Sequence, residues 1–162
     1  MEFLRHQPRS ESRTVNIAEN KRAKFDYTIL DTYECGLVLL GTEVKSLRDR
    51  HVSFGDAYAL LKNHELFLLG LRIEPYKYGT HQNHETDRTR KLLLHKREIS
   101  KLEKETGRKG LTLIPLKIYF KEGRAKVLIG VAEGKSKVDK RDTIKQREGD
   151  REVARVMRRG QR

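Results

Sequence analysis

The chain has 162 residues, of which 36% are apolar and another 36% charged, so it holds one compact domain with tails rather than several packed ones. Its 36 Lys and Arg against 23 Asp and Glu give a formal net charge of +13, a self-repelling surplus that a polyanion such as nucleic acid relieves through counterion release. A single cysteine, Cys35, excludes a disulfide framework, no apolar run approaches the roughly 18 residues of a spanning helix, and MEFLRHQPRS lacks a secretory apolar core, so the cytoplasm is the expected compartment.

Residues 1–13 are polar and aperiodic and are expected to form a disordered tip ahead of a domain over 14–133. From Phe25 the chain alternates, with Phe25, Tyr27, Ile29 and Tyr33 on one face, as in a half-buried strand. Gly36 is expected to break it, leaving Leu-Val-Leu-Leu at 37–40 as a second short strand. Over 43–50, Val44 and Leu47 share one helical face. Residues 56–62 and 65–71 flank Asn63-His64, a hairpin signal. Residues 76–90 read as a long polar loop. A helix is expected over 96–105, with Ile99 and Leu102 inward and Gly107 and Gly110 ending it.

The second hairpin has 111–120 and 125–132 around Lys121-Glu122-Gly123-Arg124. Ile114, Leu116, Ile118 and Phe120 should form one buried face, and Val127, Ile129 and Val131 its partner. Pro115 cannot donate to a ladder and belongs on an edge or at a bulge. Residues 134–162 contain no aromatic residue and carry 11 basic against 5 acidic side chains, too little apolar area to fold alone. Past Gly149, Val153, Val156 and Met157 fall at helical spacing, but a helix of about ten residues is marginal by itself. The whole reads as a mainly β fold with short helices: a small antiparallel oligonucleotide-binding-like barrel plus a basic C-terminal tail.

Two motifs imitate enzymes. Gly130-Val-Ala-Glu-Gly-Lys-Ser136 has three residues between its glycines, where a phosphate-binding loop needs four to wrap backbone N–H groups around phosphate. Asp31 with Glu43-Val44-Lys45 resembles a metal-dependent nuclease set, but that set needs Glu and Lys on a strand, where i and i+2 share a face. His81 and His84 have no further ligands at metal spacing. No cofactor and no metal are expected. The basic clusters Lys21-Arg22-Lys24, beside Phe25 and Tyr27, and Arg88, Arg90 and Lys91 suit folded RNA better, through phosphate contacts and stacking.

Four blocks, NKRAKFDY at 20–27, GLVLLGTEVKSLR at 36–48, DRTRKLLL at 87–94, and KVLIGVAEGK followed by DKR within 126–141, together resemble the small protein B family. The resemblance implies a non-enzymatic barrel that holds the tRNA-like domain of transfer-messenger RNA and delivers it to stalled ribosomes, as a monomer off the ribosome and with no membrane partner. It implies an RNA face of Asn20, Lys21, Arg22, Lys24, Glu34, Lys45, Arg48, Arg88, Arg90, Lys91 and Leu93. It implies a tail, disordered when free and helical on the ribosome, that places Lys135, Asp139, Lys140 and Arg141 near the decoding centre. Ile144, Lys145, Arg147 and Met157 would lie in the empty messenger channel. The chain departs from the family pattern at Glu85-Thr86, where Asp-Pro is usual, at His95, where Asn is usual, and at Ser136 and Val138. A generic barrel for structured RNA is the competing reading.

Overall fold

The computed structural model describes residues 13–108 and 110–159, so the tip expected at 1–13 lies outside the described residues except for Arg13, as does the end of the tail. In chain order the elements are β1 (Thr14–Glu19), α1 (Ala23–Asp26), β2 (Tyr27–Leu37), α2 (Gly41–Arg48), β3 (Val52–Ser53), β4 (Tyr58–Lys62), β5 (Glu65–Leu69), β6 (Arg72–Ile73), β7 (Arg90–Leu93), α3 (Lys96–Thr106), β8 (Leu111–Lys121), β9 (Arg124–Gly134) and α4 (Lys137–Arg159). The main sheet runs β1-β8-β4-β5-β7-β2-β9, and β9 pairs again with β8. That last pairing closes β8, β4, β5, β7, β2 and β9 into an antiparallel barrel, in which β7 meets only the end of β2 and β4 meets β8 at Ala59 and Leu113. β1 extends the other edge of β8, and β3 with β6 forms a separate ribbon.

The interior is filled by Cys35, Leu47, Leu66, Leu68, Leu71, Ile73, Ile118, Val127 and Ile129, all fully buried. Leu102 inserts from α3 into the same core, and the Tyr33 hydroxyl donates to Glu105 at 2.9 Å. Both hairpins turn through two residues of positive φ, Asn63 (51°) with His64 (58°) and Glu122 (52°) with Gly123 (76°). This is the handedness that matches the twist of the flanking strands.

Four local expectations need correction. Phe25 lies in α1, not in a strand: Asn20 Oδ1 accepts from the Ala23 N–H at 3.2 Å and its Nδ2 donates to Pro115 O at 3.0 Å, which holds a turn of helix before β2. Gly36 does not end β2. It pairs with both Leu93 and Lys126, and a Cβ there would sit 3.2 Å from Leu93 Cβ, so the glycine permits two strands to converge on one. Residues 37–40 are therefore the end of β2 and its exit, not a second strand. Pro115 does sit at a register break, between Pro115 and Lys117, but that break divides the expected face. Ile118 and Phe120 enter the main core, whereas Ile114 and Leu116 join Ala23 and Ala132 in a second cluster under α1.

The tail is a single helix from Lys137, not a short one beyond Gly149. Ser136 starts it: its Oγ accepts from the Asp139 N–H at 3.2 Å, and the Asp139 carboxylate accepts from the Ser136 N–H at 3.1 Å. This reciprocal box satisfies donors that helix N-termini leave unpaired.

Candidate nucleic-acid interface

The residues proposed for RNA do not form one surface. β2 separates them: between Tyr27 and Gly36, at about 3.3 Å per residue, it rises roughly 30 Å along its path. Glu34, Lys45, Arg48, Arg88, Arg90, Lys91 and Leu93 belong to the Gly36 end. Asn20, Lys21, Arg22 and Lys24 belong to the Tyr27 end, with the start of the tail.

At the Gly36 end a groove of ≈ 690 Å³ opens between β2, the end of β7, the start of α3 and the β8–β9 turn, lined among others by Glu34, Leu93, Glu98, Phe120 and Lys126. Leu93 is 53% exposed on β7, an apolar contact held out to solvent. Glu34 points outward from β2 and accepts from the Tyr119 hydroxyl and from Lys121 Nζ at 3.2 Å. Those two contacts hold its carboxyl below the usual carboxylate range, so it stays ionised among cations. Lys126 faces the same groove from β9, opposite Gly36. No local motif marks it, because only strand register brings it there. On α2, Lys45 and Arg48 are exposed one turn apart; Lys45 Nζ lies 5.2 Å from the Tyr76 ring centre and Arg48 Cζ 5.9 Å from that of Phe120.

Arg90 is corrected by its burial. It is wholly inaccessible, with Nε donating to Glu43 Oε1 at 2.8 Å and its Nη atoms to the carbonyls of Leu71, Arg88 and Thr86. No phosphate reaches it. Arg88 donates to Glu43 Oε2 at 2.7 Å while remaining partly exposed. Burial alone would raise the Glu43 carboxyl. The Arg88 hydrogen bond, the Leu40 N–H at 2.8 Å and two guanidinium charges outweigh it and hold the group below its ordinary range. This network ties α2 to the strand carrying Lys91 and Leu93. Lys91 stays exposed and pairs with Glu65.

At the Tyr27 end, Lys21 is exposed, Arg22 pairs with Asp26 at 3.1 Å and Lys24 with Glu19 at 3.2 Å. Asn20 is spent on the turn before α1, bonded to the Ala23 N–H and to Pro115 O. α4 joins this surface: Lys140 Nζ reaches Asp26 at 3.2 Å, Lys135 Nζ donates to Lys24 O at 3.0 Å, and Arg147 Cζ stands 5.5 Å from the Phe25 ring centre. Asp139 is held in the helix cap, while Arg141, Ile144, Lys145 and Met157 are exposed. Ser136, one of the departures from the family pattern, caps the tail helix, and its spacing to Asp139 is the signal for that role.

The enzyme-like motifs dissolve. Glu43 and Lys45 lie on a helix, Glu43 is buried between two arginines, and Asp31, in the middle of β2, is 2.9 Å from Lys101. The nuclease reading fails on that geometry. Among the described residues no three His, Cys, Asp or Glu groups converge as a metal site. His84 is buried, bonded to Thr42 Oγ1 and Ile73 O, each at 2.9 Å, while His81 is exposed. Gly130 and Gly134 lie within β9, so no loop wraps there. No helix among the described residues is long and apolar enough to cross a membrane.

Comparison with known proteins identifies the family. The family model described as SmpB protein matches residues 17–159. An SsrA-binding protein of Streptococcus pneumoniae is 53% identical over 141 residues, covering 87% of this chain and 91% of that one. Another, of Levilactobacillus brevis, is 52% identical over 141 residues, 87% and 90% of the two chains. A chain solved in "tmRNA-SmpB: a journey to the center of the bacterial ribosome" superposes with a TM-score of 0.65 at 52% identity, over 75% of this chain and 86% of that one. With nearly all of its described length matched, including both ends of the barrel and the tail, the chain belongs to the SmpB protein family.

Proposed function

We propose that this protein binds the tRNA-like domain of transfer-messenger RNA and carries it to stalled ribosomes, catalysing nothing itself. The observation that carries the reading is the division of exposed cations between two ends of one closed barrel. The groove end, with Glu34, Lys45, Arg48, Lys91, Leu93 and the partly exposed Arg88, is assigned to the tRNA-like domain. The other end, with Lys21, Arg22 and Lys24 beside Lys135, Lys140, Arg141, Lys145 and Arg147, is assigned to the ribosome. Ile144 and Met157 are the apolar contacts of α4 along the messenger channel. A rigid barrel between two polyanions holds them at a set separation, which a single patch would not do.

We further propose that α4 exchanges between disordered and helical states in the free protein and is held helical on the ribosome. Its Val138, Val153 and Met157 are 65%, 56% and 69% exposed, so little packing favours it. Ribosomal RNA would relieve its charge repulsion. Amide exchange over 142–159 should be fast in the free protein and slow on a stalled ribosome; equal protection in both states would refute the coupling.

Capture of RNA from lysate followed by sequencing tests the main reading. A dominant transfer-messenger RNA peak is expected. An even spread over transfer and ribosomal RNA would instead indicate a generic barrel for structured RNA.

A further inference from the structure

The loop between β6 and β7 carries two tyrosines that composition alone hides in a polar stretch. Tyr78 is 71% exposed. Its ring centre lies 5.7 Å from that of half-buried Tyr76, in an edge-to-face pair with 70° between planes. Lys77 Nζ stands 5.3 Å from the Tyr78 ring centre, and Lys45 of α2 stands over Tyr76. Cations and aromatic rings thus alternate at the solvent face.

The rings are not on a free loop. Asn83 Oδ1 accepts from the Tyr76 and His84 N–H groups, both at 3.1 Å, and its Nδ2 donates to Tyr76 O at 2.9 Å. Gly79 N–H also donates to Tyr76 O, and a Cβ on Gly79 would lie 2.6 Å from Asn83 Nδ2. Beyond it, His84 bonds Thr42 and Ile73 O. The carbonyl must receive a proton, so Nε2 carries the hydrogen and Nδ1 accepts from the Thr42 hydroxyl. Arg88 then anchors the far end to Glu43. Little ordering remains to be done on binding, which favours affinity.

We infer that this loop is a stacking platform for an unpaired RNA base, with Tyr78 supplying the ring and Tyr76, Lys77 and Lys45 its backing and charge. The inference rests on the RNA-binding reading above. Every base has a π-face that stacks on an aromatic ring, and nearby cations meet the phosphates on either side. Bases within a duplex are already stacked, so the partner is a looped-out or single-stranded nucleotide. An apolar protein partner fits less well, because lysines stand over both rings of this strongly basic chain.

The test uses the full chain and a transcribed tRNA-like domain of transfer-messenger RNA carrying 2-aminopurine at each unpaired position in turn. Wild type should quench at least one position. Tyr78→Ala should abolish that quenching and weaken binding by about 5- to 150-fold, the range of one base–aromatic stack, without changing the slope of log affinity against log salt. Tyr78→Phe, which keeps the ring, should bind within about twofold of wild type. Tyr78→Ala binding and quenching like wild type would overturn the inference, and so would a variant that keeps RNA affinity but fails only in ribosome rescue. If wild type shows no preference for this RNA over bulk transfer RNA, the functional reading falls instead, and Tyr78→Ala against bulk transfer RNA still decides whether the loop stacks bases.

Discussion

Arg90 and Lys91 are adjacent in the chain and on opposite faces of β7, one sealed in the core side and one in water. Arg90→Ala leaves Glu43 buried with one guanidinium fewer and opens three carbonyls. It should cost roughly 3–5 kcal/mol in urea denaturation while leaving the salt slope of RNA binding unchanged, once protein is compared at equal folded fraction. Lys91→Ala should do the reverse: its exposed pair with Glu65 contributes at most about 1 kcal/mol, but the loss of a phosphate contact should flatten the salt slope by about one. A flattened slope in Arg90→Ala would mean that the network opens to admit phosphate. Glu43 makes the same network pH-dependent. Its folded pKa lies below its unfolded value, so the stability it contributes is complete above the ordinary carboxylate range and is lost as pH falls through the lowered folded value. Glu43→Gln should be less stable than wild type at neutral pH, and the two urea midpoints should converge on acidification.

Among the elements, α4 is the least supported. It has a reciprocal cap at Ser136 and Asp139 and a few contacts to α1, but Val138, Ile144, Val153 and Met157 are exposed. Gly149 lies inside it and costs about 1 kcal/mol relative to alanine. Gly149→Ala should therefore raise the helical circular dichroism of the free chain, and Ser136→Ala, which removes the cap, should lower it. No change in either variant would show that the helix is held by its contacts with α1 instead. The hairpin around Asn63-His64 and the helix at 96–106 were legible because turn residues and periodicity are local. β8 was half legible: the proline announced a bulge, but not that the bulge would send Ile114 and Leu116 to a different core from Ile118.

For the molecule as a whole, the place to divide it follows from β9. The strand pairs with β2 up to Gly134 opposite Tyr27, and Lys135 N–H donates to Asp26 O at 2.9 Å. Cutting after Ala132 would strip three pairs from the barrel wall, two with β2 and one with β8, whereas cutting after Ser136 spares it. The chain ending at Ser136 should keep its urea midpoint and its affinity for the tRNA-like domain but lose ribosome rescue. A loss of RNA affinity as severe as that of the Lys91 variant would mean that α4 shares in the RNA contact.

Chemistry and punctuation are legible in the amino-acid order alone: the net charge that calls for a polyanion, the hairpin turns, the period of α3, and the four blocks that carry the family resemblance. These are local or additive properties, readable without knowing which strands meet. Strand pairing and barrel closure, by contrast, put Arg90 in the core and Lys91 at the surface, bring Lys126 to the groove, and set the cationic clusters at opposite ends of β2. The fold also sets Asn83, Gly79 and His84 to fix the loop that holds Tyr78 out to solvent beside half-buried Tyr76. Each of those outcomes depends on register and closure between strands distant in the chain, and a one-residue shift in register would reverse which side chains face the core.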